Sequence, residues 1–133
     1  MKVLMPYKWI DHTGEVELEI EGSSEEEIFA DALHAYCELT AGEGEPASRA
    51  IALEGAGRAD LLARWLDELI YLADAQGFVP ERVVDIEVER DGLSAEVEGR
   101  VGSASPLVKA VTYHGLEFGF DGERWRAHVV LDV

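Results

Sequence analysis

Residues 15–21 alternate strictly: Val16, Leu18 and Ile20 are separated by Glu15, Glu17, Glu19 and Glu21. A period of two puts each set on its own face of a strand, so this stretch predicts a half-buried strand. Gly22-Ser23-Ser24 turns the chain. Ser24 with Glu27, and equally Ser23 with Glu26, has capping-box spacing, and acids at 25–27 suit the positive end of a helix. A helix is predicted over about 25–39, with Phe29, Leu33, Tyr36 and Cys37 on one stripe flanked by Ile28 and Ala32. Residues 41–46, Ala-Gly-Glu-Gly-Glu-Pro, predict a break, and 48–54 a strand with Ile51 and Leu53 in phase. The clearest helix is DLLARWLDELIYLADAQG, capped by Asp60 and ended by Gly77. Its apolar face of Leu62, Trp65, Leu66, Leu69, Ile70 and Ala73 marks it as the central core helix. Residues 83–90 and 93–101 alternate around Asp91-Gly92, which predicts a hairpin. After a loop at 102–106, a second Asp-Gly at 121–122 joins LVKAVTYHGLEFGF to RWRAHVVLDV.

Interspersed helices with antiparallel hairpins give the α+β class: a mixed or antiparallel sheet with two main helices packed on it. At 133 residues the chain is read as a single domain, 1–133, large enough for its own core. No apolar run reaches the roughly 18 residues of a membrane span, and the opening residues lack the pattern of a signal peptide. With one cysteine, Cys37, there is no disulfide and no thiolate metal cage. These features predict a cytoplasmic protein with no membrane partner. Charge adds a restriction. Twenty-eight acids against eleven bases give a net charge of -17, so direct binding of nucleic acid is not expected. Acidity alone also serves solubility.

Some stretches carry more polarity than their pattern needs. Asp11-His12-Thr13, with Glu15 behind it, opens an otherwise simple strand. VKAVTYHGL, residues 108–116, crowds Lys109, Thr112, Tyr113 and His114. Asp67 and Glu68 sit within an apolar helix, and Asp132 ends an apolar strand. Each has a bland reading. Asp11 caps a turn, the histidines are structural, Lys109 is a surface charge, and Asp67 and Glu68 lie on a wet face. Cys37 is a small core residue. On the last strand, alternation puts Trp125, Ala127, Val129, Leu131 and Val133 on one face and Arg124, Arg126, His128, Val130 and Asp132 on the other. If folding brought Asp11 beside Asp132 and a terminal carboxylate at Val133, the anions would need a cation, a proton or an arginine. Like charges about 4 Å apart repel by roughly 4 kcal/mol at an effective dielectric near 20. An oxygen-rich, sulfur-free set suits a hard ion such as calcium or magnesium.

Taken in order, DHT at 11–13, WLDELIYL at 65–72, VKAVTYHGL and the final LDV resemble the archease family. That family usually continues its first motif with Ala-Asp, where this chain has Gly14-Glu15, and often has asparagine where this chain has Asp67. The resemblance implies an α+β sandwich related to strand-helix-strand-strand modules. It further implies a non-enzymatic accessory protein of the 3′-phosphate RNA ligase, the tRNA-splicing ligase that uses GTP and manganese. Such a protein promotes ligase guanylylation and multiple turnover, in tRNA splicing or RNA repair. Its implied metal site is Asp11, Asp132 and the Val133 carboxylate, holding a divalent ion, calcium in the family. Lys109 belongs to the implied functional patch, and His12, Glu15 and His114 are further candidates for contact with the partner or its nucleotide. Two other classes compete: a general chaperone or acidic binding module, and a small metal-dependent hydrolase using Asp11, His12 and His114. The hydrolase lacks a spacing such as His-Glu-x-x-His.

Overall fold

The computed structural model describes residues 6–12 and 14–133. The elements run β1 (Tyr7–His12), β2 (Glu15–Gly22), α1 (Glu25–Glu38), β3 (Thr40–Glu54), α2 (Arg58–Gln76), β4 (Phe78–Val88), β5 (Gly92–Pro106), β6 (Ala110–Phe120) and β7 (Trp125–Asp132). The alternating stretch becomes β2, with Val16, Leu18 and Ile20 buried and the glutamates outward. Ser24 is the N-cap of α1, and its hydroxyl accepts the Glu27 N–H at 3.2 Å. The Glu27 carboxylate reaches back to the Ser23 N–H at 2.9 Å, so the box closes one residue further out than its usual form.

The α+β class holds, and the strands divide into two antiparallel sheets. The first is ordered β1-β2-β7-β6 and the second β3-β5-β4. The helices touch each other and reach both sheets: α1 meets β2 and β4, and α2 meets β6 and β5. Burying α2 on this core takes Leu61, Leu62, Trp65, Leu66 and Leu69 out of solvent completely. Trp65 also satisfies its polar atom there. Its indole N–H donates to the Phe29 carbonyl of α1 at 2.9 Å, and its ring meets the Phe29 ring edge-on at 6.1 Å between centroids. The Tyr36 hydroxyl, buried on α1, donates to the Leu69 carbonyl at 3.4 Å. Phe29 then meets Phe118 of β6 at 5.5 Å, which ties the helix pair to the first sheet.

Three local expectations are corrected. Residues 41–46 and 102–106 are not a break and a loop: they pair with each other, from Thr40↔Pro106 to Pro46↔Arg100. Glycine works here by letting backbones approach. A Cβ on Gly44 would come within 2.0 Å of the Val101 carbonyl oxygen. Pro46 is tolerated because β3 is an edge strand. Asp60 is not the cap of α2. Gly57 holds that position, and Asp60, inside the first turn, accepts the Ala56 N–H at 2.8 Å. Val130 is not on a wet face. It is as buried as Val129 and Leu131, on the opposite side of the sheet. Gly77 does end α2, in the left-handed conformation. Cys37 is half-buried, and burial first, then the charges of Glu81 and Glu38, push its thiol up, away from nucleophilic character.

Trp65 therefore carries both packing and an inter-helix hydrogen bond. Trp65→Ala is expected to cost about 3–5 kcal/mol and Trp65→Phe clearly less, as read from urea unfolding midpoints with an unchanged slope.

Candidate functional site

β7 lies between β2 and β6, so its end sets what stands beside it. Asp132 pairs with Glu15 on one side and with Ala110 on the other. Two backbone hydrogen bonds extend this end past the ladder. The Lys109 N–H donates to the Asp132 carbonyl at 2.7 Å, and the Val133 N–H donates to the Gly14 carbonyl at 3.1 Å. The turn after β1, the end of β7 and the entrance to β6 thus meet at one end of the first sheet. Gly14 sits in that turn at φ 74°, a left-handed conformation that a two-residue hairpin connection demands and that a β-carbon disfavours.

Asp11 is exposed on β1, paired with Val16, which in turn pairs with Leu131. Residues directly opposite in an antiparallel ladder share a face. Asp11 therefore belongs to the Val16–Leu131 row, and Asp132 to the adjoining row with Glu15, on the other face. The two aspartates flank the same sheet end from its two sides, with β2 between their strands. Lys109 is exposed beside them, and Val133 packs partly against the core. Thr13 and the side chain of His12 lie outside the described residues. His114 is exposed further along β6, in a register shift between Thr112 and Glu117.

The outward glutamates of β2 show what is unusual at this end. Glu17 meets His128 at 3.1 Å, Glu19 meets Lys8 at 3.1 Å, and Glu21 pairs with Arg126. Glu15 instead has Asp132 directly opposite, and opposed like charges destabilise a ladder. Thr112, on the same face of β6, has a buried hydroxyl oxygen without a hydrogen-bond partner among the described residues. Carboxylates and a hydroxyl are hard oxygen donors, the kind that calcium or magnesium takes. Among the described residues no group of three or more His, Cys, Asp and Glu side chains is gathered closely enough to hold a metal ion.

α2 also reaches this region. Asp67 is exposed as a residue, yet its carboxyl lies against β6. Burial pushes the carboxyl up, while a hydrogen bond from the Val111 backbone and the charge of Arg64 pull it down. Glu68 is half-buried. Sequence reasoning missed His128, which appears only as an outward residue of the last strand. The one signal for it is its phase, shared with the outward glutamates across the sheet.

Fold and site together define a class: a small α+β domain that gathers carboxylates and a lysine from distant segments at one sheet end. The family model of the Archease protein family (MTH1598/TM1083) matches residues 7–133, and the chain belongs to that family. It is 33% identical to the protein archease of Pyrobaculum neutrophilum, over 96% of this chain and 95% of the relative. It is also 33% identical to that of Archaeoglobus fulgidus, over 97% of this chain and all (100%) of the relative. Among solved structures it resembles protein 1598 of Methanobacterium thermoautotrophicum, with a TM-score of 0.73 and 27% identity over 96% of this chain and 99% of that one. It also resembles the Thermotoga maritima protein described as an archease and possible chaperone, with a TM-score of 0.67 and 25% identity over 100% of this chain and 99% of that one. No helix among the described residues is long and apolar enough to cross a membrane.

The position of Asp67 makes a prediction. Val111 needs an acceptor there, not a charge, and an asparagine oxygen serves. Because the folded carboxyl is shifted upward, its ionisation takes stability away as pH rises through the unfolded and then the folded value. Asp67→Asn should raise the thermal midpoint at pH 7 slightly, on the order of 1 °C given solvent screening. The difference should vanish below about pH 4, where the carboxyl is protonated in both states. Differential scanning calorimetry of both proteins across that range checks it.

Proposed function

We propose that this protein is a non-enzymatic activator of the GTP- and metal-dependent 3′-phosphate RNA ligase. In that role it promotes guanylylation of the ligase and repeated turnover, in tRNA splicing or RNA repair. The observation that carries the reading is the pair of backbone hydrogen bonds, Lys109 to Asp132 and Val133 to Gly14. They join, at one end of the first sheet, the backbones of three separated segments in which the family resemblance implies functional residues. Membership of the archease family supports it, and so does the net charge of -17, which favours a basic protein partner over RNA itself.

Family resemblance assigns Asp11, Asp132 and a carboxylate at Val133 to a divalent cation, calcium in the family; the ladder puts Asp11 on the opposite face from Asp132, so the two would have to reach an ion round the end of the sheet. When bound, such an ion supplies a fixed positive charge beside the partner's nucleotide site. Asp132 and Glu15 keep that end of the sheet anionic. Lys109, exposed on a backbone anchored to Asp132, offers a mobile ammonium to a nucleotide phosphate or a ligase carboxylate. His12 and His114 complete the candidate contact set.

A second reading has one observation behind it. Tyr71, Leu107, Tyr113 and Phe120 are each more than half exposed, as a chaperone for unrelated proteins would use them. Suppression of aggregation of unrelated substrates at stoichiometric concentration would favour it.

The decisive assay is ligation by the cognate ligase under limiting GTP. Asp11→Ala, Asp132→Ala and Lys109→Ala should each lower stimulation about tenfold or more, with thermal midpoints within a few degrees of the parent. Three folded variants that all stimulate fully would refute the mechanism. Calorimetric calcium titration of Asp132→Ala against the parent tests the ion separately.

A further inference from the structure

β6 and β7 lose register in one place. Thr112 pairs with Val130 and Glu117 with His128, so Tyr113, His114, Gly115 and Leu116 stand against Val129 alone. A strand with this much extra length has to be held, because the ladder no longer holds it. Gly115 adopts φ 70°, and a β-carbon there would meet His128 at 3.3 Å from Cε1 and 3.5 Å from Nδ1. The His128 ring fills the space that the missing side chain leaves. Its Nδ1 lies 2.6 Å from the Gly115 carbonyl oxygen, and its Nε2 lies 3.1 Å from a Glu17 carboxylate oxygen. A carbonyl and a carboxylate only accept, so satisfying both requires a proton on each ring nitrogen. Toward the helices, the Tyr113 hydroxyl donates to Asp60 of α2 at 3.3 Å.

We propose that His128, as an imidazolium, is a positioning residue that fixes the Tyr113–Leu116 bulge and so presents His114, on the strand that Lys109 leads into, to the protein's partner. The presentation step rests on the function proposed above; the fixing of the bulge does not. The groups facing the ring are Glu17 and Glu19 from β2 and Glu117 from β6, with Arg126 two positions away on its own strand and Lys8 of β1 paired to Glu19. This surrounding favours the cation. Burial pulls the imidazole down, but the hydrogen bonds to Gly115 and Glu17 and the charges of Glu17 and Glu19 outweigh it, and the net direction is upward. A histidine raised in the folded state stabilises fully below its unfolded value near 6.5 and loses that contribution as pH rises through the folded value.

The test pairs amide exchange of residues 113–117 with ligase stimulation, both from pH 6 to 8.5, in the parent and in His128→Ala, His128→Arg and Glu17→Gln. In the parent, protection factors of the bulge amides should fall about tenfold as the His128 Cε1–H resonance titrates. His128→Ala should be low at every pH and stimulate weakly. His128→Arg, which keeps two donors and does not titrate, should restore protection and flatten the profile. Glu17→Gln should move the midpoint to lower pH. Equal bulge protection in the parent and His128→Ala overturns the role of His128, and so does full stimulation by a His128→Ala protein whose bulge has loosened. A parent protein that stimulates no ligase overturns the proposed function and the presentation of His114 with it, while the exchange data still decide what fixes the bulge.

Discussion

Strand β7 is hydrogen-bonded along both edges, and its register fixes the position of every group at the working end of the first sheet. Ala127, Val129 and Leu131 are buried toward the helices, and Val130 is buried on the other side. A one-residue slip would exchange the faces of Val129 and Val130 and carry Asp132 inward, exposing leucine and burying a carboxylate. Hydrophobic burial on both faces therefore locks the register, and the locked register puts Asp132 opposite Glu15 and next to Lys109. Core packing and site geometry are one constraint in this molecule.

That constraint turns a general acidity into a local one. Most of the 28 acids do not bear on the site, and several are neutralised by a neighbour: Glu98 by Arg82, Glu25 by Arg58, Asp121 by Arg126. The outward row of β2 shows the contrast along a single strand. Glu17, Glu19 and Glu21 meet a histidine, a lysine and an arginine, whereas the ladder gives Glu15 another acid.

The legible parts of the fold are those written in short-range periodicity. β2, α1 and α2 follow from alternation, capping and a 3.6-residue stripe, and Gly77 ends α2 where it was expected to. What was not legible depends on the other strand. The glycines at 42, 44 and 102 read as breakers, because the close approach of β3 and β5 that requires them exists only after pairing. Val130 read as outward, because its burial on the second face comes from tertiary packing and not from alternation. The site was half legible for the same reason. The candidate residues were conspicuous against their strands, but where they stand relative to one another needs the order β1-β2-β7-β6, which no local pattern contains. His128 was missed because its role lies in a register shift, and a shift belongs to a pair of strands.

The departures from the family pattern then divide by what the backbone asks of them. Gly14 occupies a left-handed turn position, and what it gives the site is a carbonyl for Val133, a group every residue possesses. The space beside it is open, but a β-carbon would strain the left-handed backbone, which glycine relaxes. Glu15 keeps the carboxylate that faces Asp132 but moves it outward by a methylene on a strand whose register cannot shift to compensate. Asp67 keeps the acceptor that Val111 uses and adds a charge that burial opposes. In each case the function served by the backbone or by an oxygen acceptor is retained. What varies at positions 15 and 67 is where charge is placed.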